Sequence, residues 1–311
     1  TVLLVGPMSI AIARMLKIDP VPFLMGQILA SNVGGTATLI GDPPNIMIGS
    51  AAHLSFMDFL ENTGFAVLFI LVVLILLMKI VYEKKIELGT VDTGAIEKLD
   101  PSKSITNRAL MKKGIIVLIC VIVGFMFHDK LGIESSVIAL TAAAVMLIIG
   151  REDVNEAIQD VEWTTILFFM SLFVVVGGLT ETGIIKELAS KIIDATNGHP
   201  MVTMLVLLWA SALLSSILDN IPFVATLIPL ILAMQADGID VTSFWWAISL
   251  GACLGGNGTM IGASANVVLS DISTKHGYPI TFKSYLKVGM PFMLLSIVIA
   301  TVFLVVKFDI M

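Results

Sequence analysis

The sequence predicts an all-α polytopic membrane protein built as an inverted repeat, with re-entrant hairpins and broken transmembrane helices. Three observations predict it. Uncharged runs recur along a chain of 311 residues that is 57% hydrophobic and 14% charged, whereas soluble domains carry about 25% charged residues. Two of the runs are interrupted midway by glycine- and asparagine-rich stretches, residues 31–45 and 255–266. These stretches correspond to each other when shifted by 221 positions, and the segments around them correspond as well.

Uncharged runs cover 62–78, 135–150, 163–180, 195–218, 220–236, 241–270 and 288–306, and several approach or exceed the roughly 20 residues that cross a bilayer. In order, residues 1–13 read as the outgoing arm of a helix or hairpin that ends at Arg14 and Lys17. Asp19-Pro20 starts a helix to about Ala30. The interrupted stretch Ser31-Asn32-Val33-Gly34-Gly35-Thr36-Ala37-Thr38-Leu39-Ile40-Gly41-Asp42-Pro43-Pro44-Asn45 follows, and the helix resumes from Asn45 to about His53. Its glycines and prolines release backbone groups from helical pairing. Hydrocarbon offers those groups no partner, so the stretch must be buried in protein or line a polar cavity. Residues 62–78 form a full span, and 79–113, dense in both charges, form a solvated cytoplasmic linker. Spans follow at 114–128, 135–150 and 163–180. Residues 183–196 set Ile184, Leu188 and Ile192 opposite Lys186, Glu187 and Lys191, the pattern of a helix lying in the interface. Residues 201–236 are interrupted by Leu218-Asp219-Asn220-Ile221-Pro222 and read as a re-entrant hairpin or as one kinked span. The second interrupted run and a last span at 288–306 complete the chain.

At a shift of 221, Gly34, Gly35, Thr38, Ile40, Gly41 and Asn45 fall on Gly255, Gly256, Thr259, Ile261, Gly262 and Asn266. At 222, Val2 and Pro7 fall on Val224 and Pro229, in the arm after Asp219-Asn220, so the first half is expected to carry its own hairpin tip upstream of Thr1. With 79–113 placed in the cytoplasm, the inner segments hold Arg14, Lys17, the eight basic residues of 79–113, Arg151, Lys275, Lys283 and Lys287. Lys130, Lys186, Lys191 and Lys307 are left outside. The bias has the sign of the positive-inside rule and makes the halves inverted. Interrupted helices at matching places in two inverted halves point to a transporter's binding site. Cys120 and Cys253 lie in apolar runs and make no disulfide framework.

The run SNVGGTATLIGDPPN, its partner GGNGTMIGASAN and the tip LDNIP resemble the ion transporter superfamily. Closest is the arsenite-efflux and sodium–proton antiporter (ArsB/NhaD-type) branch, which includes the P protein; the divalent anion/sodium symporters are more distant. The resemblance implies an elevator-type permease in the cell membrane, with an often homodimeric scaffold and a transport domain of two hairpins and two broken helices. On this chain, 1–78 becomes the C-terminal part of the first repeat and 114–311 the second, with scaffold helices in 114–196, transport elements in 201–277 and a last span at 288–306. It also implies ion-binding positions at Asn32, Thr36, Thr38 and Asn45 in the first break, at Asp219 and Asn220 in the tip, and at Asn257, Thr259 and Asn266 in the second break. Na⁺ would be held by Asn32, Asn45, Asp219, Asn220 and Asn266. The chain departs from the anion symporters in having Asp219-Asn220-Ile221 at the tip in place of their Ser-Asn-Thr, and in having Asp42 where they often have Thr.

Asp42 and Asp219 are acids inside otherwise uncharged membrane stretches, where a carboxylate is paired, protonated or functional. Either could exchange a proton for Na⁺. Asp42 reads equally as the cap of a helix opening with Pro-Pro-Asn, whereas Asp219, at a tip, carries the greater functional weight, and Asp219→Asn is expected to abolish coupled transport. Asn and Thr oxygens with freed carbonyls suit a hard cation, and half-helix N-termini suit an anion. The same side chains also serve as polar glue for broken backbone. Cys253 aligns with Asn32 and reads as a small inert apolar residue or as a ligand for trivalent arsenic.

No cluster of His, Glu or Cys has the spacing of a metal or nucleophilic centre, so an enzyme is not expected, and neither is a cofactor beyond Na⁺ or H⁺ as coupling ion. A channel would favour a symmetric pore of simple helices. The expectation is therefore a secondary carrier of the arsenite or Na⁺/H⁺ antiport type, the alternative being a cation-coupled citrate or dicarboxylate symporter. Its partners are lipid and a small ion or oxyanion, not nucleic acid.

Overall fold

The computed structural model describes residues 2–83, 107–151, 153–159, 161 and 163–309. It is helical, without strands among the described residues. Most of the linker expected at 79–113 lies outside the described residues. The described helices are α1 (Val2–Met15), α2 (Val21–Gly35), α3 (Pro43–Ala52), α4 (Phe56–Tyr82), α5 (Arg108–Leu131), α6 (Ser135–Gly150), α7 (Val154–Gln159), α8 (Trp163–Glu181), α9 (Ile184–Ala195), α10 (Pro200–Ser215), α11 (Asn220–Ala236), α12 (Thr242–Gly255), α13 (Ser264–Lys275) and α14 (Phe282–Asp309).

Three of these helices, α4, α5 and α14, are long and apolar enough to cross a bilayer singly, and the chain turns by 70° between α8 and α9. That turn takes a span into the amphipathic helix expected at 183–196. Helix α5 buries only Phe125, and α6 buries no residue. Their aliphatic surfaces belong in lipid, where exposure of Leu and Ile is favourable. At the centre stands α12, buried on every face from Phe244 to Gly255, as a helix enclosed by other helices must be.

Both interruptions are present, and both are narrower than the sequence suggests. Helix α2 runs on through Gly35 and α3 begins at Pro43, leaving residues 36–42 outside helix. The second break spans residues 256–263. Helix α2 persists beyond Ala30 because Thr36 caps its last turn, through its N–H and its hydroxyl, which donates to the Asn32 carbonyl at 2.9 Å. The segment 201–236 is likewise divided, at residues 216–219, into α10 and α11, which both pack against α12.

The repeat visible in sequence is a repeat in space. Helix α3 starts after Asp42 and α13 after Ala263, two positions 221 apart with matching extended backbones (φ −142°, ψ 139° and φ −151°, ψ 147°). Gly41 donates to the Thr38 carbonyl at 3.2 Å, and Gly262 donates to that of Thr259 at 3.2 Å. The halves also exchange partners. Helix α1 packs on α13 while its counterpart α11 packs on α3, and α2 meets α13 as α12 meets α3. Reciprocal contacts of this kind are what a two-fold relation between halves produces.

Helices α10 and α12 share the most extensive interface, and it depends on small residues. A β-carbon on Gly255 would stand 2.6 Å from the Ala212 carbonyl oxygen and 2.7 Å from its Cα, whereas one on the equivalent Gly34 would meet nothing within 4 Å. Overpacking against rigid backbone costs about 1–3 kcal/mol. Gly255→Ala is therefore expected to lower the thermal unfolding temperature in detergent, while Gly34→Ala leaves it within error of the parent.

Candidate functional site

A broken helix leaves carbonyls without intrahelical donors, and in this chain two asparagines take them up. Asn45, in the first turn of α3, donates through Nδ2 to the carbonyls of Gly35 (3.3 Å), Thr36 (3.3 Å) and Thr38 (3.1 Å). Asn266, 221 positions on in α13, donates through Nδ2 to those of Gly256 (2.7 Å) and Thr259 (2.9 Å). Each side chain reaches back across its own break and holds it closed. The backbones can approach because residues 35, 41, 256 and 262 are glycines; a β-carbon on Gly35 would lie 2.8 Å from the Gly41 oxygen, and one on Gly262 would lie 2.7 Å from the Gly256 oxygen.

The other end of each staple is met by the opposite half. Asn32 Nδ2 donates to Asn266 Oδ1 and to Asn257 Oδ1, both at 2.9 Å. In return, Ser249 Oγ (2.7 Å) and Cys253 Sγ (3.4 Å) donate to Asn45 Oδ1. Asn257 Nδ2 donates to the Leu29 carbonyl at 3.4 Å. Thr63 donates to the Thr36 carbonyl at 3.0 Å, and Thr259 donates to that of Ser216 at 2.5 Å, tying the second break to the turn between α10 and α11. All of these asparagines and threonines except Thr38 are buried.

This network sets the orientation of Asn32. Both of its acceptors, Asn257 and Asn266, have committed their own amide nitrogens to backbone carbonyls, so Asn32 must present its nitrogen to them. Its Oδ1 is left uncommitted. Asn220 is in the same position: it opens α11 and directs Nδ2 at both carboxylate oxygens of Asp42, each at 3.3 Å.

Asn32, Asp42 and Asn220 meet in a cavity of about 150 Å³ between the two breaks and the tip, whose wall also includes Ser31, Ala263, Ser264 and Ala265. The two sides of the cavity differ in chemistry. On the first-half side stand the Asp42 carboxylate and Pro43, which lacks an N–H group, with Pro44 following it in the chain. On the second-half side, the equivalent positions are Ala263, Ser264 and Ala265, which open α13 with N–H groups that have no intrahelical partner and with the positive end of the helix dipole. One side suits a cation, the other an anion.

The sequence singles out ten positions, and the structure brings three of them, Asn32, Asp42 and Asn220, to the cavity. Asn45, Asn257, Thr259 and Asn266 lie behind it in the cross-linked network. Thr36 caps α2, and Thr38 contributes its carbonyl. Asp42 occupies the N-cap position of α3 but makes no capping hydrogen bond. Asp219 does cap, accepting from Ile221 N at 3.0 Å, and it is the next residue, Asn220, that reaches the cavity. Ser249 escapes sequence reasoning because nothing local distinguishes a serine inside an apolar helix. Ser31 and Ser264 were legible only as members of the breaks.

Residues 1–251 match the family model CitMHS, described as citrate transporter. The chain belongs to the CitMHS family. It is 37% identical over 314 residues to the 46 kDa membrane protein of Mycobacterium leprae, covering 100% of this chain and 73% of that protein. An uncharacterized transporter of Synechocystis is 31% identical over 97% of this chain and 72% of its own length. The P protein of Mus musculus is 30% identical over 98% of this chain and 46% of its own length. The P-protein likeness drawn from the motifs is thus borne out, and the family that matches is the citrate one. This CitMHS chain is a multi-pass membrane transporter.

Loss of either staple leaves buried carbonyls and the facing donor unpaired, at about 1–3 kcal/mol for each buried group. Asn45→Ala and Asn266→Ala are each expected to lower the unfolding temperature in detergent by several degrees, and Thr38→Ala, which keeps its carbonyl, to leave it nearly unchanged.

Proposed function

We propose that this CitMHS protein is a cation-coupled secondary carrier whose cargo is a carboxylate anion of the citrate class. The observation that carries this reading is the division of the cavity. An anionic group fits against the first N–H groups of α13 and the Ser264 hydroxyl. A cation or proton fits between the Asp42 carboxylate and the uncommitted amide oxygens of Asn32 and Asn220. Each charge offsets the other, so the cavity accepts both together better than either alone, which is the thermodynamic content of coupling. The family description agrees with the cargo. At about 150 Å³ the cavity is smaller than the roughly 300–1,000 Å³ of sites that enclose drug-sized ligands, which suits one carboxylate arm and one ion. Movement of the two breaks and the 201–277 transport elements as an elevator against scaffold helices in 114–196, in a homodimer, completes the proposal.

A second reading is Na⁺/H⁺ or arsenite antiport. It is favoured by one feature: no Lys or Arg stands among the residues lining the cavity, and no ion pair among the described residues involves Asp42. Cys253 does not line the cavity, so the arsenite form lacks a thiol there.

Thermal unfolding of full-length protein with Na⁺, citrate, succinate and arsenite distinguishes the readings. Citrate is expected to stabilise, and more so when the coupling cation is present. Stabilisation by Na⁺ or arsenite with no response to citrate would instead select the second reading. In proteoliposomes, Asp42→Asn is expected to abolish cation-dependent uptake. Asp219→Asn is expected to retain most of it, because Asn caps a helix about as well as Asp. That reverses the weight sequence reasoning places on Asp219.

A further inference from the structure

Cys253 lies in the last turn of α12 and is fully buried. Its thiol donates to Asn45 Oδ1 at 3.4 Å and neighbours Thr36 and Asp42. An inert cysteine would simply fill space among aliphatic side chains, but this one faces amide, hydroxyl and carboxyl groups. Its position in the repeat is equally specific. Cys253 corresponds to Asn32, Thr36 to Asn257 and Asn45 to Asn266, each at a shift of 221. Asn32 bridges Asn257 and Asn266, so Cys253 faces the two positions that mirror its counterpart's partners.

The consequence lies in how Asn45 is held. Its Nδ2 is committed to the carbonyls that close the first break. Only Oδ1 remains to set the rotation and depth of the amide, and it is met by Ser249 and Cys253. Asp42 is part of the same turn, since Asn45 N donates to the Asp42 carbonyl at 3.0 Å. A shift of Asn45 therefore moves Asp42 relative to Asn220 and Asn32.

We infer that Cys253, together with Ser249, is a positioning residue that acts through Asn45 to hold Asp42 in register with the hairpin tip. The part of this inference that concerns transport rests on the cation-coupled reading above; the part that concerns geometry does not. A thiol is a weak donor, so a serine hydroxyl can replace it, while alanine or valine cannot.

The test uses full-length protein carrying Cys120→Ser, with Cys253→Ser, Cys253→Ala, Cys253→Val or Ser249→Ala added singly, and with Ser31→Cys present in addition for the labelling measurements only. Two quantities are measured. One is the rate at which a small maleimide modifies Ser31→Cys, a cavity-wall position, which needs neither cargo nor cation. The other is the cation concentration giving half-maximal citrate uptake in proteoliposomes. Cys253→Ala, Cys253→Val and Ser249→Ala are expected to change the labelling rate, and to raise the half-maximal cation concentration, about three- to tenfold, the scale of one neutral hydrogen bond. Maximal uptake stays within about twofold, and Cys253→Ser restores both quantities. If Cys253→Ala and Cys253→Val label Ser31→Cys at the parent rate, or if Cys253→Ser behaves like Cys253→Ala, the inference is overturned. If labelling follows the expected order but the parent takes up no citrate, the positioning role stands and the cargo assignment falls.

Discussion

The whole arrangement depends on one constraint: peptide groups released from helical pairing inside hydrocarbon must find partners within the protein. Asn45 and Asn266 meet it with a single device, an amide that reaches back from the first turn of the second helix segment to the carbonyls at the end of the first. Water could satisfy such groups in a soluble protein. Here a side chain must, and the side chain must in turn be satisfied. That second requirement draws the halves together, because the oxygen of each amide is met from the opposite repeat. Close glycine contacts, the exchanged packing of α1 and α11, and the enclosure of α12 all keep these bonds at distances near 3 Å.

The same constraint accounts for the polarity of the cavity. Two breaks of identical backbone form would give a symmetric site. Substitution at three successive equivalent positions, Asp-Pro-Pro against Ala-Ser-Ala, removes donors from one wall and leaves them on the other. The scaffold is duplicated while the chemistry is not, and the proposed coupling of two dissimilar ions would use that asymmetry. Asn32 and Asn220 extend the acceptor side with amide oxygens whose orientation follows from the bonds their nitrogens make.

Much of this was legible in sequence, for identifiable reasons. The span at 135–150 is legible to the residue because a charge bounds it at each end, Glu134 before and Arg151 after. The breaks are legible because glycine, proline and asparagine are conspicuous in apolar runs, and the shift of 221 pairs Asn45 with Asn266 in the sequence itself. Their extents were overestimated because glycine at the end of a helix need not end it, and α2 continues to Gly35. The short helix α7 was not foreseen, since six residues give too little periodicity. At the hairpin tip both Asp219 and Asn220 are legible as polar positions, but not their division of labour, in which Asp219 caps α11 and Asn220 reaches the cavity. Local pattern cannot tell which of two adjacent polar residues turns inward. The cross-half bonds were illegible, because nothing in a linear reading joins Cys253 to Asn45 across 208 positions.

The reciprocal bracing bears on how such a chain is made. Asn45 is made 204 positions before Ser249, the hydroxyl that completes it. Until then the first repeat holds a half-satisfied amide and an open polar wall inside the lipid. Neither repeat satisfies its own staple, so the bonds that complete the first break form only once residues 249–253 of the other repeat are in place, however well the individual spans have inserted.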